Sequence, residues 1–206
     1  MMVSNEKWFG ASAGFYPETI DQSLRFEDGD SPYLSRTPSS TGNRRTFTVS
    51  CWVKRGNLDI NAYIFKANTG TGDGLAFRTS TTGTDPFTLY WFFSDTAQGS
   101  ITTNAVFRDT TNWYHVVLAI DTTQGTSSER VKIYVNGTQQ SFSITNYPSQ
   151  NYESTVNTQV AHLISGYASG NSHFDGYMAE YNFVDGQAFA PTSFGETKNG
   201  VWIPKS

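Results

Sequence analysis

The chain has 206 residues, of which 16% are charged and 15% aromatic, and its formal net charge is −4. This balance lacks the basic footprint that duplex nucleic-acid binding needs, and the aromatic content is too high for a disordered chain. A single cysteine excludes an intramolecular disulfide and a zinc site built on cysteine clusters. The sequence contains no run of about 18 apolar residues, so no membrane span is predicted. The shortage of strong helix formers argues against a mainly helical fold.

The first 22 residues show neither helical nor strand periodicity and are predicted to form an N-terminal arm. The arm carries four aromatic side chains, Trp8, Phe9, Phe15 and Tyr16. Two interpretations stay open, because such a segment can pack on its own domain or dock on another subunit. The first residues also lack the apolar core of a signal peptide, so we expect the protein to be made and folded in a cytosol.

From Ser23 onward, short alternating runs between turn residues predict antiparallel strands. The runs are Ser23–Phe26, Tyr33–Ser35, Arg45–Lys54, Ala62–Lys66, Leu75–Thr79, Phe87–Phe93, Ile101–Phe107, Trp113–Ile120, Val131–Val135, Gln139–Ile144, Val160–Ser165 and Tyr177–Val184. The Asn136-Gly137 pair predicts a hairpin, because a type I′ turn needs a positive φ at both positions. The pattern predicts one all-β domain over residues 23–190, an antiparallel β-sandwich of jelly-roll type, with residues 191–206 as a C-terminal extension packed on it.

Alternation along the strands assigns four side chains to a candidate binding platform. Cys51 falls on the core face of its strand, where it acts as a small apolar side chain, and Trp52 falls on the opposite face. Tyr90, Phe92 and Arg78 also fall on the non-core faces of their strands. If these faces coincide, Trp52, Arg78, Tyr90 and Phe92 form a platform for a sugar or a protein. The alternative is that neighbouring chain, such as the N-terminal arm, covers this surface.

Five segments, in order, carry a family resemblance. They are Phe47–Lys54, Trp113–Leu118, Val131–Gly137, Ile164–Gly166 and Phe174–Glu180. This series resembles the laminin-G-like jelly rolls of the concanavalin A-like lectin/glucanase superfamily over residues 23–190. The resemblance implies two curved antiparallel sheets packed face to face.

A narrower resemblance concerns virion proteins of tailed phages, especially marine ones. It rests on Ile20–Phe26, Tyr33–Pro38, Asn182–Gln187, Ser193–Glu196 and Val201–Lys205. It implies a domain on a tail fibre or capsid exterior, located on the virion after synthesis in the host cytoplasm. Its partners would be other virion proteins, further copies of the chain as a homo-oligomer, or host polysaccharide.

Catalysis is not expected, although the same superfamily includes glucanases. A retaining glycosidase needs two carboxylates about 5–5.5 Å apart, and the Glu-x-Asp-x-x-Glu strand motif of the resembling glucanases does not occur. Asp175 and Glu180 lie five residues apart, on opposite faces of an unbulged strand. His115 lies in the middle of a strand and reads as a structural histidine, whereas His173 lies in a predicted loop and is the more accessible candidate for a ligand contact.

No cofactor is predicted, and calcium is the ion that the acidic turns could bind. Five acidic residues lie in predicted turns: Asp73, Asp85, Asp95, Asp109 and Asp121. Calcium prefers oxygen ligands from such loops, and the resembling laminin-G domains often bind it at a loop rim. The alternative is that each carboxylate accepts hydrogen bonds from its own turn.

The sequence therefore predicts a non-enzymatic, lectin-like virion surface protein that binds host cell-surface glycans. A decoration or cement protein of a capsid or tail is the first alternative, and the aromatic arm favours it. A glycoside hydrolase is the second alternative.

Overall fold

The computed structural model describes residues 20–58, 61–67, 70, 72–78, 87–94, 99–166 and 172–205. Trp8, Phe9, Phe15 and Tyr16 of the N-terminal arm lie outside these residues, as do the candidate calcium ligands Asp85 and Asp95. No helix in the described part of the chain has the length and apolar character needed to cross a bilayer.

Fifteen strands occur in the described residues: β1 Leu24–Phe26, β2 Leu34–Arg36, β3 Thr46–Arg55, β4 Ala62–Ala67, β5 Gly74–Phe77, β6 Thr88–Phe92, β7 Ser100–Val106, β8 Tyr114–Asp121, β9 Val131–Val135, β10 Thr138–Gln139, β11 Phe142–Thr145, β12 His162–Ile164, β13 Gly176–Asp185, β14 Gly195–Lys198 and β15 Val201–Pro204. A six-stranded sheet has the order β1-β13-β3-β8-β9-β10, and a seven-stranded sheet has the order β11-β7-β6-β5-β4-β12-β2. Strands β14 and β15 pair only with each other. The predicted all-β, concanavalin A-like sandwich is confirmed.

The core lies between the two large sheets and follows the predicted alternation. Phe47, Cys51 and Val53 of β3 are fully buried and belong to the same cluster as Leu89 and Trp91 of β6. Apolar side chains at every second position bury one face of each sheet, which is the main driving force for this packing.

One predicted strand is divided between the two sheets. Gln139–Ile144 was expected to be continuous, but β10 ends in the six-stranded sheet and β11 starts in the seven-stranded sheet. The backbone N–H of Gln140 still donates to Ile133, whereas the carbonyl of Ser141 already accepts from Asn104 of β7. The prediction of one strand is wrong because alternation reports which residues face inward and carries no information on which sheet they pair with.

The C-terminal segment covers the outer face of the six-stranded sheet. Thr48 and Ser50 point away from the core and are nevertheless fully buried. The hydroxyl of Thr48 donates to the carbonyl of Gln187 (2.7 Å) and accepts from the backbone N–H of Phe189 (2.8 Å). Ile203 of β15 is 1% exposed. The β14–β15 hairpin therefore forms a third layer over this sheet.

Arg55 is a buried cation at the end of β3. Its side chain is 1% exposed, Nη1 donates to the carbonyl of Phe107 (2.7 Å), and the guanidinium lies 4.7 Å from the ring centre of Phe77. Burial lowers the pKa of Arg55 to about 10. Nε and Nη2 are buried and have no hydrogen-bond partner among the described residues, and each buried, unsatisfied donor costs about 1–3 kcal/mol.

Replacing Arg55 with an apolar side chain is expected to stabilise the domain. Arg55→Met removes the two unsatisfied donors and keeps most of the side-chain volume, so the free energy of unfolding should rise by about 1–2 kcal/mol. Urea unfolding followed by tryptophan fluorescence measures the change. Lys54→Met, on the neighbouring outward-facing position, is the control and should have little effect; a lower stability of Arg55→Met than of this control would contradict the prediction.

Candidate functional site

Three of the predicted site residues meet on the outer face of the seven-stranded sheet. The guanidinium of Arg78 lies 4.5 Å from the ring centre of Tyr90, and the rings of Tyr90 and Phe92 are 5.6 Å apart. Tyr63 joins them, in edge-to-face contact with Phe92 at 5.9 Å. Cross-strand pairing explains the proximity, because Ala76 lies opposite both Tyr63 and Tyr90. We call this surface, with Lys66, the aromatic face.

The ring faces of this surface are used within the protein. Phe92 lies against Gly74, where a Cβ would come within 2.5 Å of the ring. The ammonium group of Lys66 lies 5.6 Å from the ring centre of Tyr63 and 5.7 Å from that of Phe92. Burial lowers the pKa of Lys66 to about 8 and raises the pKa of Tyr90. A stacked sugar needs a free ring face, so the aromatic face is the weaker of two candidate sites.

Two predicted site residues lie elsewhere. Trp52 was expected on the same platform, but its strand β3 belongs to the six-stranded sheet, so it lies on the opposite side of the sandwich. His173 was expected to be accessible, but it is 4% exposed. Its Nδ1 lies 3.2 Å from the carbonyl of Ser165 and 3.3 Å from that of Pro32. Both expectations are wrong because local alternation and loop position do not reveal what packs above a residue.

Trp52 forms part of a groove on the outer side of the six-stranded sheet. The cavity has a volume of about 520 Å³ and opens to solvent. Its lining comprises Ile20, Asp21, Gln22, Ser23, Trp52, Asn112, Trp113, Val201, Trp202, Ile203 and Pro204. We call it the tryptophan groove. Trp113 and Trp202 are half-buried and Asn112 is exposed, so indole rings and polar groups face the same space.

His115 holds one wall of the groove in place. Its Nδ1 accepts a hydrogen bond from the indole Nε1–H of Trp202 (2.9 Å), which requires an unprotonated Nδ1. The other ring nitrogen, Nε2, therefore carries the proton and donates to the hydroxyl of Ser50 (2.9 Å). The ring also stacks on Trp52 at 4.8 Å. Burial lowers the pKa of His115 to about 4, so the neutral form maintains this contact.

The Asn136-Gly137 turn provides the seat for Trp202. Both residues have positive φ, 49° and 78°, as the predicted type I′ turn requires. The Asn136 side chain accepts from the backbone N–H of His115 (2.8 Å). The Trp202 ring lies so close to Gly137 that a Cβ there would overlap it, and the same holds at Gly195. Sequence reasoning missed this role, since the turn signal contains no information about a distant tryptophan.

The described candidate calcium ligands are already engaged in protein hydrogen bonds. Asp109 accepts from the backbone and hydroxyl of Thr111 and from Asn112, and these bonds lower its pKa to about 2. Asp121 accepts from Thr123 in the same way. Asp73 is fully buried and joins three loops. The prediction of no cofactor, with calcium as the alternative, stays a prediction.

A separate acidic cluster contains Glu27, Asp28 and Asp175. Arg25 forms ion pairs with Glu27 (2.5 Å) and Asp175 (3.1 Å), and Asn57 donates to Asp28 (3.1 Å). Burial raises the pKa of Asp175, and Arg25 opposes the shift. Each carboxylate of the cluster thus already has a hydrogen-bond or ion-pair partner within the protein.

Glu180 does not occupy the regular strand position that was expected. Strand β13 is bulged between Ala179 and Asn182, and Glu180 has a φ of 48°. The expectation of an unbulged strand is wrong, because a bulge arises where two residues oppose one on the partner strand, here Cys51. The bulge leaves Glu180 exposed, and Glu180 is not part of the acidic cluster of Glu27, Asp28 and Asp175.

Comparison with known families identifies the superfamily. A family model described as the concanavalin A-like lectin/glucanases superfamily matches residues 28–191, well over half of the chain. The chain belongs to this superfamily. No curated protein matches it. The match agrees with the two-sheet topology and with the resemblance seen in the sequence motifs.

Solved structures show the same fold at low sequence identity. Domains LG4–5 of the mouse laminin α1 chain align with a TM-score of 0.54 and 12% identity, covering 82% of this chain and 43% of that chain. The heptameric SAP-like pentraxin of Limulus polyphemus aligns with a TM-score of 0.53 and 17% identity, covering 79% and 73%. Domain 4 of a Geobacillus stearothermophilus arabinanase, in complex with arabinotriose, gives 0.50 and 16%, covering 73% and 65%.

Proposed function

We propose that this domain of the concanavalin A-like superfamily binds carbohydrate in the tryptophan groove. The observation that carries the proposal is the groove itself, an open cavity of about 520 Å³ that brings together Trp52, Trp113 and Trp202. Indole rings offer flat apolar faces for the C–H groups of a sugar. Asp21, Asn112 and neighbouring backbone groups supply the few polar contacts that orient a ligand in such a pocket.

The arabinotriose complex of the Geobacillus domain supports the proposal, because it shows that a related fold accommodates an oligosaccharide. The aromatic face offers a second aromatic surface, but its rings already contact Arg78, Lys66 and each other. The groove is preferred since it combines an open cavity with the half-buried indole of Trp113 and a polar rim that includes Asn112.

Binding without hydrolysis is the second part of the proposal. Among the described residues that line the groove, Asp21 is the one carboxylate, whereas a glycosidase needs a pair. Incubating the protein with a polysaccharide that it binds, and measuring reducing ends, tests this point. We expect no release of reducing ends above a buffer blank. Release that persists in a purified Asp21→Asn variant would point to an active site elsewhere, whereas release that this variant abolishes would point to the groove. Either result would contradict the proposal.

Trp113→Ala is expected to weaken saccharide binding at least tenfold. Truncating a tryptophan at the centre of a binding site costs about 2 kcal/mol or more, and 1.4 kcal/mol corresponds to a factor of ten in Kd. An array of neutral and acidic oligosaccharides identifies a ligand for the wild type, and isothermal titration then compares the variants.

Tyr33→Ala is the matched control, because Tyr33 is an aromatic residue that is 49% exposed and lies outside the groove. It should bind like the wild type. The proposal fails if no oligosaccharide is retained at millimolar concentration, or if Trp113→Ala and Tyr33→Ala bind equally well while circular dichroism shows both folded.

Display on the exterior of a phage-type particle is the remaining part of the proposal. It is supported by the motif resemblance around Asn182–Gln187 and Val201–Lys205. Many copies on one particle would raise weak saccharide affinities through avidity. Immunogold electron microscopy of particles that carry this chain tests the location; labelling absent from the particle surface would contradict it.

A further inference from the structure

An apolar groove runs along one side of the sandwich, where the edges of the two sheets face each other. It consists of two adjoining cavities of about 560 and 210 Å³ that share Leu34, Ile164 and Tyr181. Phe65 and Phe183 line the larger cavity. We call this surface the seam groove. It is separate from the tryptophan groove, with which only its smaller cavity shares residues, at Gln22 and Ser23.

The walls of the seam groove are strand edges without a neighbour in the described sheets. Strand β1 pairs with the first three residues of β13, so within the described part of the chain no strand lies on that side of residues 179–185. Strand β2 is the last strand of the other sheet, and its three residues are exposed. Unpaired edges beside an apolar floor are the usual receptor for an added extended segment.

Two exposed apolar side chains lie at this surface. Leu24 is 54% exposed and Leu34 is 47% exposed, and both line the groove. A contiguous apolar surface of this kind is normally covered by a partner. An occupant must therefore be extended and carry apolar side chains, together with polar groups that suit Arg36 and Asp185 of the larger cavity.

We propose that the seam groove receives the N-terminal arm of a second copy of this chain. Residues 1–19 include Trp8, Phe9, Phe15 and Tyr16, and their charged side chains are two acidic and one basic. The four aromatic side chains suit the apolar part of the lining, which includes Phe65 and Phe183, and the few charged side chains suit a cavity that also presents Arg36 and Asp185. The inference goes beyond saccharide binding, because it concerns assembly of the chain with itself.

The length of the arm is sufficient to reach a neighbouring molecule. Nineteen extended residues span up to about 60 Å. A domain of this size has a radius of gyration of about 17 Å and hence a diameter near 45 Å. The arm can thus cross from one domain to the next and still place several residues in the groove.

The starting point of the arm favours a groove on another copy. Gln22 and Ser23 border both grooves, but Ile20 and Asp21 line only the tryptophan groove. Traced towards residue 19, the chain leads away from its own seam groove. An arm bound to its own seam groove would have to turn back past Gln22 and Ser23, whereas binding to a second copy needs no such turn.

The oligomeric state of the full chain tests the proposal. Native mass spectrometry and light scattering should show concentration-dependent association of the wild type. Leu34→Asp places a charge on the groove wall and should shift the protein to monomer. Val106→Asp is the matched control, because Val106 is 46% exposed and lies outside both cavities, and it should associate like the wild type.

Disulfide trapping identifies the occupant. Leu34→Cys and Phe9→Cys are introduced into separate chains, and Cys51 is buried and does not interfere. Mixing the two variants under mild oxidation should give a covalent heterodimer. A monomeric wild type, association unaffected by Leu34→Asp, or no heterodimer in the mixture would overturn the proposal. So would an intramolecular cross-link in the chain carrying both cysteines, with no intermolecular product.

Discussion

Acidification from pH 7 to pH 4 is expected to lower the free energy of unfolding by up to about 3 kcal/mol, with His115 as the main contributor. The pKa of His115 is about 4 in the folded protein and about 6.5 in the unfolded chain. Below pH 6.5 the unfolded state therefore binds a proton that the folded state excludes, and stability falls as the pH falls. Each unit of pKa difference corresponds to about 1.4 kcal/mol.

The structural consequence of protonation is release of the C-terminal hairpin. A protonated Nδ1 cannot accept the hydrogen bond from the indole of Trp202, and the charge would lie under the stacked ring of Trp52. The other charged side chains near His115 are Glu180 and Lys205, which line the cavity beside it. Tryptophan fluorescence and urea unfolding at pH 7, 5.5 and 4.5 measure the effect.

His115→Gln is the control for this prediction. It removes the titrating group, so its stability at pH 7 should be lower than that of the wild type but should change less between pH 7 and 4.5. His162, whose pKa is also lowered by burial, contributes in the same direction and is retained in the control. Equal pH dependence of the variant and the wild type would show that His115 is not the responsible group.

Asp73→Ala is expected to destabilise the domain by about 3 kcal/mol, because each interior polar group that loses its partner costs about 1–3 kcal/mol. The carboxylate of Asp73 accepts hydrogen bonds from the backbone N–H of Ser94 (2.6 Å), the hydroxyl of Ser154 and the backbone N–H of Thr155 (3.3 Å). Removing it leaves the buried hydroxyl of Ser154 and the half-buried N–H groups of Ser94 and Thr155 without this acceptor, near the β4–β5 connection and the loop before β12. Thermal unfolding and urea titration measure the loss.

This substitution also separates a structural role from a calcium site. Asp109→Ala, at an exposed turn, is the control and should cost much less. The difference between the two variants should be the same in EDTA and in millimolar calcium. Stabilisation of the wild type by calcium that disappears in Asp73→Ala would instead assign Asp73 as a calcium ligand.

The accuracy of the sequence predictions differs between the two faces of each strand. Cys51 was predicted to lie on the core face of its strand and is fully buried, as are Phe47 and Trp91 on the inward faces of β3 and β6. The outward positions were harder, because Ser50 and Trp52 point away from the core yet lie under the C-terminal hairpin. Inward burial follows from a period of two along one strand, whereas outward burial depends on chain that is distant in sequence.

The candidate site shows the same division. Arg78, Tyr90 and Phe92 were predicted to share a surface, and they do, because neighbouring antiparallel strands bring them together. Trp113 and Trp202 were not recognised as site residues. They meet only because the β14–β15 hairpin folds back over β8, and no local pattern encodes that contact.

The amino-acid sequence by itself determined the all-β class, the core faces of β3 and β6, and the Asn136-Gly137 turn, since backbone geometry and side-chain alternation are local properties. Only the tertiary structure decided that Trp52 and Tyr90 lie on opposite sides of the sandwich, that residues 139–144 divide between two sheets, and that His173 is buried. These features depend on pairing between distant strands, where many arrangements satisfy the same alternation and the packing of the whole chain selects one.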